Sequence, residues 1–115
     1  MSANHVAMPS AERAFDALGD ATRRRVFERV RRGTRSVSEI AGGMKVSRPA
    51  VSQHLQVLKD AGLVVVRVEG TRRFYAVDPR GVEAVRKWLD GFWDDALMAF
   101  KNAAERAAAE ERGSR

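Results

Sequence analysis

The sequence has no cysteine among its 115 residues, and it has no apolar run long enough to cross a bilayer. Without cysteine there is no disulfide, no thiolate metal site and no thiol redox switch. A transmembrane helix needs roughly 18 or more consecutive apolar residues. Residues 1–11 also lack the apolar core of a secretory signal. We therefore expect a cytoplasmic protein.

The residue arrangements that carry out catalysis are missing as well. The sequence contains no glycine-rich phosphate-binding loop, no HExxH metal motif and no nucleophile with a recognisable base. Its two histidines are His5 and His54, and His54 falls between the inward and outward faces of a predicted helix. Packing or a hydrogen bond to a phosphate is expected there. We predict neither an enzyme nor a cofactor.

Positive charge is what the composition has in excess. Lys and Arg number 21 against 15 Asp and Glu, which gives a net charge of +6. Such an excess favours an acidic partner, nucleic acid before an anionic membrane, although many basic surfaces serve only solubility. The positions of the charges must therefore decide the partner. The apolar fraction of 44% and the length fit one globular domain.

Helix start signals divide the first half of the chain. Ser10 and Asp20 are placed to cap the first two helices, whose apolar residues recur at helical spacing. Ser36 and Glu39 form a capping box for a third helix. A glycine pair at 42–43 follows it closely, so this helix is predicted to be short.

A fourth helix and a hairpin follow. Ser47 caps this helix, Pro49 lies in its first turn, and Gly62 suits its left-handed C-terminal position. The period then changes from 3.6 to 2 over residues 64–77, and Gly70-Thr71 fits a two-residue turn. We predict one β-hairpin that packs against the helices.

The helical period returns from Pro79 to about Ala109 with an unusually wide apolar band. The band covers about 180° of the helix, whereas a helix that covers only its own domain needs little more than ~100°. The extra width favours a second surface, most simply the same helix in another subunit. The predicted dimer contacts on this helix are Val85, Leu89, Phe92, Trp93, Ala96 and Phe100.

Together these elements predict a mainly α fold with one β-hairpin (α+β), in the order α-α-α-α-β-β-α. The domain is expected to span residues 10–109, after a flexible leader at 1–9 and before a disordered tail at 110–115.

Residues 37–58 have the pattern helix, tight turn, helix, in which the outer face of the second helix enters the major groove of DNA. Arg and Gln pair with the edges of guanine and adenine, and Ser adapts to either. The hairpin tip at 67–73 carries three arginines and one glutamate, which suits phosphate or minor-groove contacts. An ordinary solvated face is the alternative. The predicted DNA contacts are Ser47, Arg48, Pro49, Ser52, Gln53 and Gln56 on the helix, with Arg67, Thr71, Arg72 and Arg73 on the hairpin.

These residues resemble the ArsR-type (ArsR/SmtB) family of bacterial winged helix-turn-helix repressors over roughly residues 11–104. The motifs that carry the resemblance are ALGDATRR at 17–24, VSEIA at 37–41, VSRPAVSQHLQVLKDAGLV at 46–64 and GTRRFY at 70–75. The resemblance implies a homodimer joined through its first and last helices, which adds Phe15 and Leu18 of the first helix to the predicted dimer contacts. It also implies binding to an inverted repeat in double-stranded DNA, repression of the protein's own or a neighbouring promoter, and association with the nucleoid.

The chain departs from the metal-sensing members of that family. It has no cysteine, and its last helix has no histidine. Asp90 and Asp94 lie one turn apart, but carboxylates alone hold hard cations weakly and are more typical of solvated surface. We predict the branch without a metal site, and the inducer is left open. Trp88 and Trp93 fit either core and interface packing or a ligand pocket.

Two other functions compete with a DNA-binding repressor. The broad apolar face of the last helix also suits a protein-interaction adaptor that keeps the winged-helix scaffold. A ligand-responsive or metal-responsive sensor with an unrecognised site is the other candidate.

Overall fold

The computed structural model describes residues 11–113. The elements in chain order are α1 (Ala11–Ala17), α2 (Ala21–Arg31), β1 (Arg35–Ser36), α3 (Val37–Ala41), α4 (Arg48–Asp60), β2 (Val64–Glu69), β3 (Arg72–Val77) and α5 (Pro79–Gly113). The chain divides into two compact units at residues 85 and 86, within α5. The expected leader and the cap at Ser10 lie outside the described residues.

The helices begin where the capping residues predict. Asp20 accepts a hydrogen bond from the Arg23 N–H at 2.9 Å and starts α2. The Ser36–Glu39 capping box is complete, because the Glu39 N–H donates to Ser36 Oγ and the Ser36 N–H donates to Glu39 Oε1. Ser47 caps α4 by accepting from the Ala50 N–H at 3.2 Å. These local signals set the bounds of the helix-turn-helix unit.

The predicted hairpin is present, and it belongs to a larger sheet than expected. Strands β2 and β3 pair antiparallel from Val64 opposite Val77 to Glu69 opposite Arg72, and Gly70 in the tight turn has a φ of +63°. The sequence did not predict β1, whose two residues pair with Phe74 and Tyr75 and complete a three-stranded sheet in the order β1-β3-β2. A two-residue strand has no periodicity to detect, so only the pairing reveals it.

The core of the first unit lies between the helices and the inner face of the sheet. Its largest fully buried side chains come from α2, α3, α4 and β2, with Leu63 between the last two. They include Val26, Val30, Ile40, Val51, Leu55, Leu58, Leu63 and Val64. The buried residues of α3 and α4, which are Ile40, Val51, Leu55 and Leu58, therefore fix α4 against the domain.

The end of α4 is held tightly to the start of α5. Gly62 has a φ of +81°, as expected for the residue that ends α4. The Asp78 N–H donates to the Leu63 carbonyl at 2.9 Å. A Cβ on buried Gly81 would lie only 1.9 Å from the Gly62 carbonyl oxygen, so two backbone segments meet there with no room for a side chain.

Helix α5 runs to Gly113, past the end near Ala109 that the apolar period predicts, so residues 110–113 are helical rather than part of a tail. The period fades because the last turns carry alanine and charge, which sustain a helix without an apolar stripe. No helix among residues 11–113 is long and apolar enough to cross a membrane.

Candidate nucleic-acid interface

Helix α4 presents a polar stripe because its opposite side is anchored in the core. Val51, Leu55 and Leu58 are fully buried. At about 100° per residue, Pro49, Gln53 and Gln56 fall on the opposite side of the helix, and all three are exposed. The packing of one side therefore orients the other towards solvent.

One edge of this stripe faces the hairpin across an open cleft of about 580 Å³. Arg48, Pro49 and Ser52 line the cleft from α4, and Thr71, Arg72 and Arg73 line it from the hairpin tip. Six of the ten predicted DNA-contact residues thus come together around one space. We call the hairpin formed by β2 and β3 the wing, and we call this space the wing cleft. Its charged lining residues are three arginines, so it suits an anion.

The arginines of the hairpin do not all have the same surroundings. Arg72 and Arg67 approach the Phe74 ring, with guanidinium carbons 5.1 and 5.8 Å from its centre. Arg67 also pairs with Glu69 at 2.8 Å and does not line the wing cleft. Both arginines are predicted DNA contacts, but the charge of Arg67 is partly neutralised by Glu69, whereas Arg72 lines the wing cleft.

The remaining predicted helix contacts lie outside the wing cleft. Ser47 is exposed and uses its hydroxyl as the N-cap. Gln53 is exposed on the outward stripe. Gln56 lies on the same stripe, where its side-chain amide donates to Asp60 Oδ1 at 3.0 Å. Gln53 and Gln56 thus share the exposed stripe of α4.

An ionised carboxylate lies near the wing cleft. The hydrogen bond from the Ser36 N–H lowers the pKa of Glu39, and the Ser36 hydroxyl and the nearby charges of Arg72 and Arg35 lower it further. The capping box therefore keeps Glu39 negative, and this charge offsets part of the positive potential around Arg72 at the hairpin tip.

Sequence reasoning missed three residues of the wing cleft and one of the hairpin. Ser36, Val37 and Ser38, at the start of α3, also line the cleft. The capping box identified Ser36 as the start of a helix but gave no sign that it faces the hairpin. The role of Phe74 beneath two arginines was also missed, because it depends on strand register.

Three arginines of α2 bind carbonyl oxygens at helix ends. The guanidinium groups of Arg23 and Arg24 donate to the carbonyls of Ala17 and Leu18, at 3.1 and 2.7 Å. Arg29 donates to the carbonyls of Ile40 at 3.2 Å and of Gly42. These contacts satisfy carbonyls that helices leave without a partner, so part of the positive charge is structural.

The predicted dimer contacts fall into two groups. In the first unit, Leu18 and Val85 are half-buried against the core, and Phe15 is 38% exposed. In the second unit, the large side chains of α5 are exposed, and Trp88 stacks on Phe92 with ring centres 5.8 Å apart. The exposed predicted contacts there are Leu89, Phe92, Trp93 and Phe100, while Ala96 is half-buried.

No group of three or more His, Asp or Glu side chains suited to a metal ion occurs within residues 11–113.

Known proteins with similar sequences and structures are transcriptional regulators. A family model described as a helix-turn-helix domain matches residues 18–67. The HTH-type transcriptional regulator Rv2034 of Mycobacterium tuberculosis is 53% identical over 91 residues, which cover 79% of this chain and 85% of that protein.

Two solved structures share the fold. The crystal structure of the ArsR family transcriptional regulator RHA00566 aligns with a TM-score of 0.67 and 32% identity, over 72% of this chain and 91% of that one. The solution structure of a homodimeric winged helix-turn-helix DNA-binding domain from Mycobacterium bovis, described as a possible ArsR-family regulator, aligns with a TM-score of 0.56 and 30% identity, over 74% and 76%. With the helix-turn-helix unit, the wing and these relatives in agreement, the chain belongs to the ArsR-type family of winged helix-turn-helix DNA-binding transcriptional regulators.

Proposed function

We propose that this regulator acts as a homodimeric repressor that reads an inverted-repeat operator in double-stranded DNA. The observation that carries the proposal is the wing cleft, where the exposed edge of α4 and the arginines of the hairpin tip face one another. A helix in the major groove places base-reading side chains beside phosphates, and the wing supplies charge to those phosphates.

The two kinds of residue at this surface have separate roles in the proposal. Gln53 and Arg48 read base edges from α4, because amide and guanidinium groups form paired hydrogen bonds with adenine and guanine. Arg72 and Arg73 bind the backbone, because a guanidinium that contacts a phosphate attracts every sequence alike. Discrimination then resides in the helix, and most of the salt dependence resides in the wing.

Two observations support the dimer in this proposal: the exposed apolar face of α5 and the existence of a homodimeric relative. Phe92, Trp93 and Phe100 are 50–74% exposed, which leaves large aromatic surface to be covered. Exposed aromatic surface of this kind is typical of protein interfaces. The aligned Mycobacterium bovis domain is homodimeric. Two recognition helices related by a two-fold axis fit an inverted repeat with half-sites one turn of DNA apart.

The remaining parts of the proposal follow from DNA binding and from the family. A dimer bound over its own or a neighbouring promoter blocks transcription, so repression is the expected outcome. Such a protein works in the cytoplasm at the nucleoid, and it needs neither a metal nor catalytic activity. The inducer is left open.

The experiment is a selection of binding sites from random duplexes, followed by binding titrations with single variants. We expect an inverted repeat to emerge. Gln53→Ala should weaken binding to the selected site by about 1–3 kcal/mol, through one base pair of each half-site. It should bind unrelated DNA as the wild-type protein does. Arg72→Ala should weaken binding to all duplexes alike and reduce the slope of log K against the logarithm of the salt concentration.

Arg31→Ala serves as the matched control, since Arg31 pairs with Glu28 on the exposed surface of α2. It removes one positive charge and should leave operator preference unchanged. Recovery of random sequence from the selection, or a Gln53→Ala variant with unaltered preference, would contradict the proposal.

A further inference from the structure

A second basic cleft lies beside the turn that leads into α4. It has a volume of about 340 Å³ and is lined by Thr22, Arg25, Arg29, Gly43, Met44, Lys45 and Val46. Its charged lining residues are two arginines and a lysine, with no carboxylate. We call it the turn cleft. The wing cleft has the same balance, with three arginines and no carboxylate.

A third surface cleft does not share this charge. The cleft between α1 and the end of α4 has Arg13 and Arg23 in its lining, but Asp16 and Asp60 balance them. A basic protein therefore does not make every cleft positive. The wing cleft and the turn cleft, whose positive charges no carboxylate balances, both lie next to the first turn of α4. Arg48 lines the wing cleft, and Lys45 and Val46 line the turn cleft.

The turn cleft has a fixed wall and two available cations. The guanidinium of Arg29 is held by the carbonyls of Ile40 and Gly42, which fixes the turn against α2. The side chains of Arg25 and Lys45 are exposed and form no hydrogen bond or ion pair with any residue of 11–113. Arg29 thus shapes the cleft, while Arg25 and Lys45 are able to bind an anion.

The two clefts lie at opposite edges of the outward stripe of α4. Arg48 and Ser52 form the edge that lines the wing cleft. On the helical wheel, Ala50 and His54 form the other edge, and both are half-buried. Helix α2 packs against α4, and its N-cap residue Asp20 is near enough to His54 for their charges to interact, so the start of α2 lies beside that second edge.

This arrangement matches the shape of the expected ligand. The major groove of B-DNA is about 12 Å wide and is bounded by the phosphates of both strands. A helix in the groove therefore has one backbone at each edge. If the wing cleft takes the phosphates of one strand, the opposite edge of α4 faces those of the other.

We propose that the turn cleft is a second phosphate-binding subsite, in which Arg25 and Lys45 contact the DNA strand opposite the one held by the wing. Thr22 adds a hydroxyl donor at the same place. The inference rests on the proposed function, because it takes for granted that α4 enters the groove. It adds an assignment of the DNA strand and two phosphate contacts from residues outside α4 and the hairpin.

The test is hydroxyl-radical footprinting on the selected operator, with each strand labelled in turn. Arg72→Ala should lose protection on one strand of each half-site. Arg25→Ala and Lys45→Ala should lose protection on the opposite strand. Each variant should also lower the salt slope of binding by about 1, as expected for one lost phosphate contact.

Lys87→Ala is the control, because it removes one exposed positive charge from α5 in the other unit. It should keep the wild-type footprint and slope. If Arg25→Ala and Lys45→Ala also keep both while Arg72→Ala does not, the turn cleft is not a phosphate site and the proposed function stands. Loss of protection on the strand that Arg72→Ala affects would overturn the strand assignment. A wild-type protein that protects no duplex would contradict the proposed function itself.

Discussion

Replacement of Gly81 by alanine should destabilise the protein strongly, although it adds a single methyl group to a helix. The new Cβ would lie 1.9 Å from the Gly62 carbonyl oxygen and 2.6 Å from its carbon. Ordinary contact requires about 3.5 Å, so the two backbones must separate by roughly 1.5 Å. No side chain can rotate to relieve the contact, because both partners are main chain.

The expected cost lies at or above the upper end of the ~1–3 kcal/mol that overpacking usually takes from the free energy of unfolding. Each kcal/mol corresponds to a fall of roughly 4–8 °C in Tm for a domain of this size. Thermal unfolding followed by circular dichroism measures it. Better helix propensity works in the opposite direction, by only about 1 kcal/mol.

Gly91 provides the matched control ten residues further along the same helix. Nothing lies within 4 Å of a Cβ built there. Gly91→Ala should therefore raise stability by about 0.5–1 kcal/mol, because alanine loses less conformational entropy in a helix. A Gly81→Ala protein that melts at or above the wild-type temperature would refute the close approach at Gly62.

Three further predictions concern charge, the wing and assembly. Hydrogen bonds and an ion pair from Arg80 lower the pKa of the Asp78 carboxyl below its ordinary value of 3.8. Asp78→Asn should therefore lower the free energy of unfolding at neutral pH. The difference from wild type should shrink below about pH 3.8, because wild-type Asp78 is then protonated, and urea unfolding at a series of pH values checks this. Phe74→Leu should weaken binding to all duplexes about 2- to 5-fold through the lost cation–π contact with Arg72, whereas Phe74→Tyr should not. Leu89→Arg should give a monomer in sedimentation experiments; a persisting dimer would exclude Leu89 from the interface.

The sequence predicts those parts of this fold that depend on neighbours in the chain. Asp20, Ser36 and Ser47 cap their helices through bonds that span three residues, so the bounds of α2, α3 and α4 follow from local chemistry. The outward stripe of α4 follows in the same way from its buried side. The convergence of α4 and the wing tip also follows once the order of elements is recognised.

What the sequence did not predict depends on contacts between distant residues. Strand β1 exists only through pairing with β3, forty residues away at Arg35 and Tyr75. Arg29 reaches across eleven residues to Ile40, and its sequence neighbours give no sign of this. A long arginine side chain reaches many acceptors, so its partner is decided by the fold and not by the local pattern.

The hydrogen bonds of Arg29 have a consequence for engineering. The sharp connection between α3 and α4 is clasped from outside by a side chain of α2. A chimera that grafts only residues 36–62 onto another scaffold would leave the Ile40 and Gly42 carbonyls without this donor. Any such transplant of DNA specificity should therefore carry α2 along with the motif.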